Sequence, residues 1–198
     1  MNKNRKAIRL IGLIVPAVSL VCGLYLLLNA SAPLLPAAAF LESADETANK
    51  LGSTQPQIGE NRLYIPKINV DVEIVSGDDW QVLERGAWHR HPENGNPISG
   101  GNFVLSAHRF TLGWTPQQTR QKSPFYSIDK LEGGDKIYVD WDGKRYEYEV
   151  VRRYNVARTA TEIENRTTKA KMTLYSCDLR GELAGREVIE AKPVADLL

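Results

Sequence analysis

A chain of 198 residues, 42% hydrophobic and 25% charged, has the size and composition of one ordinary globular domain and not of a disordered segment. Its formal net charge is only +1, from 25 Lys and Arg against 24 Asp and Glu, which excludes the broad basic footprint of a nucleic-acid-binding protein.

Lys3, Arg5, Lys6 and Arg9 crowd the N-terminus, and no charge follows until Glu42. Within that gap the 19 residues Leu10 to Leu28 are apolar apart from Gly12, Pro16, Ser19 and Gly23. At 1.5 Å per residue they span roughly 28 Å, matching a bilayer core of about 30 Å. Ala30-Ser31-Ala32 resembles a signal-peptidase site, but the apolar run exceeds a signal core, and Pro33 would obstruct cleavage there. The reading is therefore a basic cytoplasmic tail over 1–9 and a transmembrane anchor over 10–29. The positive-inside rule puts the remainder outside the cell membrane.

Residues 30–58, rich in Ala, Pro, Ser, Thr and Gln, read as a stalk, with Phe40 to Leu51 able to form a short helix. From residue 59 to 198 the pattern is short strands punctuated by turns. Arg62 to Pro66, Val70 to Val75, Asn102 to Ala107, Lys136 to Trp141, Lys171 to Ser176 and Glu187 to Ala191 are the candidates. Asp142-Gly143 is a strong hairpin signal and precedes Tyr146, Tyr148 and Val150 on one face. Phe125 to Leu131 reads as a helical turn stopped by Gly133-Gly134, and the polar stretch Trp88 to Gly101 as a surface loop. The fold class expected is all-β, a barrel or sandwich.

Cysteine usage points to chemistry. Cys22 lies within the apolar helix and Cys177 near the other end, too far apart to meet the roughly 7 Å Cα limit of a disulfide. One exported thiol in an oxidising compartment is a candidate reactive group. Thiol catalysis also needs a proton carrier and a donor for the oxyanion. Of the three histidines, His89 and His91 fall in the polar loop, whereas His108 follows the strand-like Phe103 to Leu105. Cys177 also ends a strand. Beyond it, Arg180 belongs to a turn-like segment and Arg186 opens the next strand, so Arg186 is the preferred donor.

Thr173-Leu174-Tyr175-Ser176-Cys177 resembles the TLxTC signature of sortases, with Arg186 where that family places its arginine. Gly101 to Arg109 is similar to the family's GN…GHR strand, Leu63 to Ile68 to its opening strand, and Phe125 to Val139 to its F…L…GD.I.V stretch. Ser176 replaces the usual Thr, removing a methyl expected to shape the peptide groove, and Ala107 replaces a common Gly. The resemblance implies a closed or nearly closed β-barrel of about eight strands with short helices. It also implies a cysteine transpeptidase with Cys177, His108 and Arg186 as its site.

Its partners would be exported proteins bearing an LPxTG-like sorting signal and an amine acceptor from a peptidoglycan precursor or a pilin lysine. With neither an aspartate-aromatic lid motif in the stalk nor a second apolar run at the C-terminus, the pattern tilts toward wall anchoring and a class D or E type. The chemistry needs no cofactor or metal; Glu162 and Glu164 could ligate calcium, but solvated loop carboxylates are the plainer reading. A papain-like hydrolase would put its cysteine before its histidine, and an L,D-transpeptidase would show SHG…C. A noncatalytic membrane-tethered β-domain would tolerate loss of Cys177.

Overall fold

The computed structural model describes residues 3–34 and 46–194. The first half of the helix expected over Phe40 to Leu51 and the last four residues lie outside the described residues. Helix α1 (Lys3–Ser31) runs into a 3-10 turn at Ala32–Leu34. Gly12–Leu34 is the one helical stretch among the described residues long and apolar enough to cross a membrane. Its leucines and valines stand largely exposed, as in a helix whose solvent is lipid.

Helix α2 (Glu46–Ser53) is tied to the strands that follow. Thr47 Oγ1 donates to Asn69 Oδ1 at 2.6 Å, Lys50 Nζ sits 2.9 Å from Asp71 Oδ2, and Arg145 Nη2 donates to the Thr54 carbonyl at 3.0 Å.

Nine strands follow in chain order: β1 (Arg62–Ile65), β2 (Val70–Val75), β3 (Ala87–Arg90), β4 (Gly95–Asn96), β5 (Gly100–Ser106), β6 (Lys136–Trp141), β7 (Lys144–Val156), β8 (Lys171–Asp178) and β9 (Gly181–Pro193). Helix α3 (Pro116–Gln121) lies between β5 and β6. Their spatial order is β3-β2-β1-β6-β7-β9-β8-β5-β4, and β3 also pairs with β5. That last pairing closes β3, β2, β1, β6, β7, β9, β8 and β5 into an eight-stranded barrel, leaving the two-residue β4 as an appendage on β5. The β2–β3 and β5–β8 pairs are parallel and the rest antiparallel.

Alternation of side chains explains the core. Phe103 and Leu105 of β5, Ile137 and Val139 of β6, Tyr148 and Val150 of β7, Met172 and Leu174 of β8, and Ile189 and Ala191 of β9 all point inward. Phe125, Ile128 and Leu131, from the expected helical turn, join them fully buried. The β6–β7 hairpin forms as expected: Asp142 (φ 48°) and Gly143 (φ 77°) are both left-handed, the signature of a type I′ turn. A register shift between Val150 and Arg152 inserts one residue into β7. The bulge reverses its parity, so Tyr154 and Val156 pack on the outer face with Val104, Ile163, Tyr175 and Val188.

The stretch Trp88 to Gly101 corrects the loop expectation. Its beginning belongs to β3, and His89 is 2% exposed, inside the barrel. The His89 ring meets Phe103 and Trp141 edge-on at 4.8 and 5.4 Å, and its Nε2 donates to the Gly95 carbonyl at 2.9 Å. Burial pulls this imidazole below its ordinary pKa, only partly opposed by that carbonyl and Glu93. A four-residue strand followed by His-Pro-Glu-Asn-Gly carries too little apolar period to be read from sequence.

Candidate active site

The three residues singled out in sequence meet through strand register. In β8 and β9, Cys177 pairs with Arg186; in β5 and β8, Ser106 pairs with Tyr175. The second pairing continues past the end of β5, since the Ala107 amide donates to the Tyr175 carbonyl at 3.4 Å and Ser176 Oγ to the Ala107 carbonyl at 2.7 Å. His108, two residues past Ser106, lines the same cavity as Cys177. Parity then settles the face: His108 follows Val104 and Ser106, Cys177 follows Tyr175, and Arg186 precedes Val188, all on the outer side. Imidazole, thiol and guanidinium thus line one face across β5, β8 and β9.

Arg186 Nη1 lies 3.6 Å from Cys177 Sγ. The approach needs Gly185 before it, whose φ is +129° and whose missing Cβ would fall 2.5 Å from the Val156 carbonyl oxygen. Arg180 is held elsewhere: its guanidinium pairs with Asp178 at 2.8 Å on the exposed β8–β9 turn and holds that carboxyl down at about 2. On the far side, His108 Nε2 sits 3.3 Å from Glu84 Oε1, an ion-pair distance without hydrogen-bond alignment. The Lys122 ammonium, 3.1 Å from the other oxygen, keeps Glu84 below the usual carboxylate range, with burial opposing, so an anion faces the ring.

A cavity of about 540 Å³ opens over these groups. Trp80, Leu83 and Trp88 form one wall; Arg158, Ala160, Thr161 and Ile163 form the other. This mixture of apolar wall and a few directed polar groups is the ordinary make-up of a small-molecule or peptide cleft. Arg90 stacks on the Trp88 ring, 4.3 Å from its centroid, and reaches Glu164 Oε1 at 3.2 Å. Glu164, in the 3-10 turn Thr161–Glu164, also accepts from the Tyr175 hydroxyl and sits 3.2 Å from His91 Nε2. Its oxygens are engaged by protein groups. Glu162 and Glu164 form no group of three or more possible metal ligands, nor do any others among the described residues.

The second wall is pinned by two residues of the sequence motifs. Asn102 Nδ2 donates to the carbonyls of Ile163 and Asn165, each at 2.9 Å, and Thr173 Oγ1 donates to Asn102 Oδ1 at 2.7 Å. Ser176 corrects an expectation. It is 1% exposed, alternates to the inner face and bonds Ala107, so a Thr methyl there would meet the interior and not the groove. Sequence reasoning missed Glu84 and Arg90, weighed Glu164 only as a calcium ligand or a solvated loop carboxylate, and gave Tyr175 no role of its own. Only Tyr175 carried a signal, lying two residues before Cys177 and hence on its face.

A family model described as the Sortase domain matches residues 63–194. Sortase D of Bacillus subtilis is 31% identical over 138 residues, covering 68% of this chain and 63% of that protein. Sortase SrtE1 of Streptomyces coelicolor is 36% identical over 105 residues, 50% of this chain and 27% of that protein. The chain therefore spans less than two thirds of the length of these relatives. Among solved structures, a Clostridium perfringens Sortase D5 transpeptidase superposes with a TM-score of 0.57 at 27% identity, over 77% of this chain and 89% of that one.

Proposed function

The chain belongs to the sortase family, and from that premise we propose that it is a cysteine transpeptidase acting on exported proteins at the outer face of the cell membrane. The reading is that it cleaves an LPxTG-like sorting signal and passes the new C-terminus to an envelope amine. The observation that supports it best is the alignment of His108, Cys177 and Arg186 on one outer face, beneath a cavity of about 540 Å³.

In this mechanism the Cys177 thiolate attacks the carbonyl carbon of the threonine-glycine bond. The carbonyl oxygen gains the charge, and the Arg186 guanidinium, always cationic and a directional donor, stabilises it. His108 gives its proton to the departing glycine nitrogen, and a thioester to Cys177 remains. An incoming amine, from a peptidoglycan precursor or a pilin lysine, then loses a proton to His108 and displaces the sulphur. The two half-reactions use each group twice and require no cofactor. Glu84, 3.3 Å from His108 Nε2, would help to orient the imidazole. Helix α1 would be a single-pass anchor with the basic tail in the cytoplasm.

Incubation with a quenched LPxTG peptide tests the reading. Cleavage that becomes amide transfer when an amine is supplied, and that disappears in Cys177→Ser, is the expected result. Cleavage undiminished in Cys177→Ser would remove the proposed nucleophile.

A further inference from the structure

The connection leaving His108 has an unusual surface. Phe110 is 42% exposed, Leu112 51% and Trp114 81%, and no charged side chain stands from Phe110 to Thr115. Three large apolar groups alternating along a solvent-facing loop are costly in water unless something covers them. Three of its amides are satisfied from within: that of Thr111 donates to Ser123 Oγ at 3.0 Å, that of Gly113 to Thr119 Oγ1 at 2.9 Å, and that of Trp114 to Gln118 Oε1 at 3.0 Å. Those three donors can approach an apolar medium without being stranded.

Its position says what covers it. Tyr25 of α1 donates its hydroxyl to the Trp114 carbonyl at 2.6 Å, and α3 packs against the turn Ala32–Leu34 at the end of α1. Tyr25 lies three residues before the end of the apolar run at Leu28, about 4.5 Å along the axis. Trp114 is thereby held at the level where hydrocarbon gives way to headgroups, the depth that Trp and Tyr favour.

We infer that the loop Phe110–Trp114 is an interfacial foot, its apolar side chains resting in the outer boundary of the bilayer that α1 crosses. The foot adds a second lipid contact to the anchor. Since six residues of backbone extend at most about 20 Å, it keeps His108 within that distance of the lipid surface. The inference rests on α1 being a membrane anchor and is independent of the transfer chemistry.

The full chain, reconstituted into phosphatidylethanolamine–phosphatidylglycerol vesicles with brominated acyl chains, provides the test. Both wild type and Trp114→Phe should float with the vesicles through α1. Bromolipid should quench wild-type tryptophan fluorescence, and Trp114→Phe should abolish most of that loss, because the other three tryptophans belong to the barrel and its groove. Adding Leu112→Trp to the Trp114→Phe chain should restore the quenching. Equal quenching with and without Trp114 would overturn the foot. Failure of the wild type to float would overturn the anchor and the foot with it.

Discussion

The inner and outer faces of β5, β8 and β9 are built from the same residues in alternation, yet they obey different constraints. Inward, Phe103, Leu105, Met172, Leu174, Ile189 and Ala191 have no polar side-chain group to satisfy, and any well-fitting apolar set would serve. Outward, Asn102, Thr173, Tyr175, Cys177, Arg186 and His108 each have a named partner or a stated distance, so no substitute of similar size fits. The main core thus lies inward, while the candidate site stands outward beside a smaller apolar cluster that includes Val104, Tyr175 and Val188. Stability and activity should respond separately to Leu174 and to Cys177, which face opposite ways on β8.

Replacing Cys177 with Ala should bring acyl transfer to background while leaving thermal unfolding within a degree or two of wild type, as followed by peptide turnover and calorimetry. Its inward neighbour Leu174 should do the reverse: Leu174→Ala is expected to cost about 2–5 kcal/mol in denaturant unfolding, with the folded fraction keeping its turnover number. A large kcat loss in Leu174→Ala would break the division. Arg186→Lys keeps the charge and loses the fork, so kcat should drop about 100-fold with little change in KM or stability.

Asn102→Ala sharpens the comparison, because Asn102 is an outer-face residue whose role is to position the 161–165 wall. It should destabilise by about 1–3 kcal/mol, speed hydrogen exchange at residues 163–165 and raise KM more than it lowers kcat. The smallest effect concerns Glu190, also outward but away from the cavity. Burial pushes its carboxyl up, yet Arg152, Lys171 and Tyr154 outweigh burial and hold it at about 2. A carboxyl depressed on folding stabilises above its unfolded pKa of about 4.3 and loses that contribution as pH falls toward 2. Glu190→Gln should therefore flatten the decline in melting temperature between pH 5 and 2, without altering turnover at pH 7.

What sequence conveyed follows the same division. The period of two revealed the inner faces of β6 and of the first half of β7, apolar runs marked β1, β2, β5 and β8 as strands, and Asp142-Gly143 pointed to a hairpin because its backbone demands are local. Cys177, His108 and Arg186 drew attention through their motifs; the expectation that Arg186 opens a strand is corrected, since it lies inside β9, which begins at Gly181. His89 was misread: its burial depends on Phe103 and Trp141, which lie far away in sequence, and on the Gly95 carbonyl, with local residues of turn-like character. Glu84 was missed, and Glu164 was taken for a solvated loop carboxylate, for a related reason. Both come from 3-10 turns with no apolar period, and both acquire a role only when distant Lys122, His108, Arg90 and Tyr175 arrive beside them.

The parallel pairing of β5 with β8 carries a kinetic consequence. Parallel neighbours cannot be joined by a tight turn, and here α3 and the whole β6–β7 hairpin intervene between them. High contact order makes such a pairing a late event in folding. His108 precedes Cys177 along the chain, so both side chains are present before the pairing of β5 with β8 brings their strand ends together. Under the proposed function, the thiol would gain its partners only when the barrel closes.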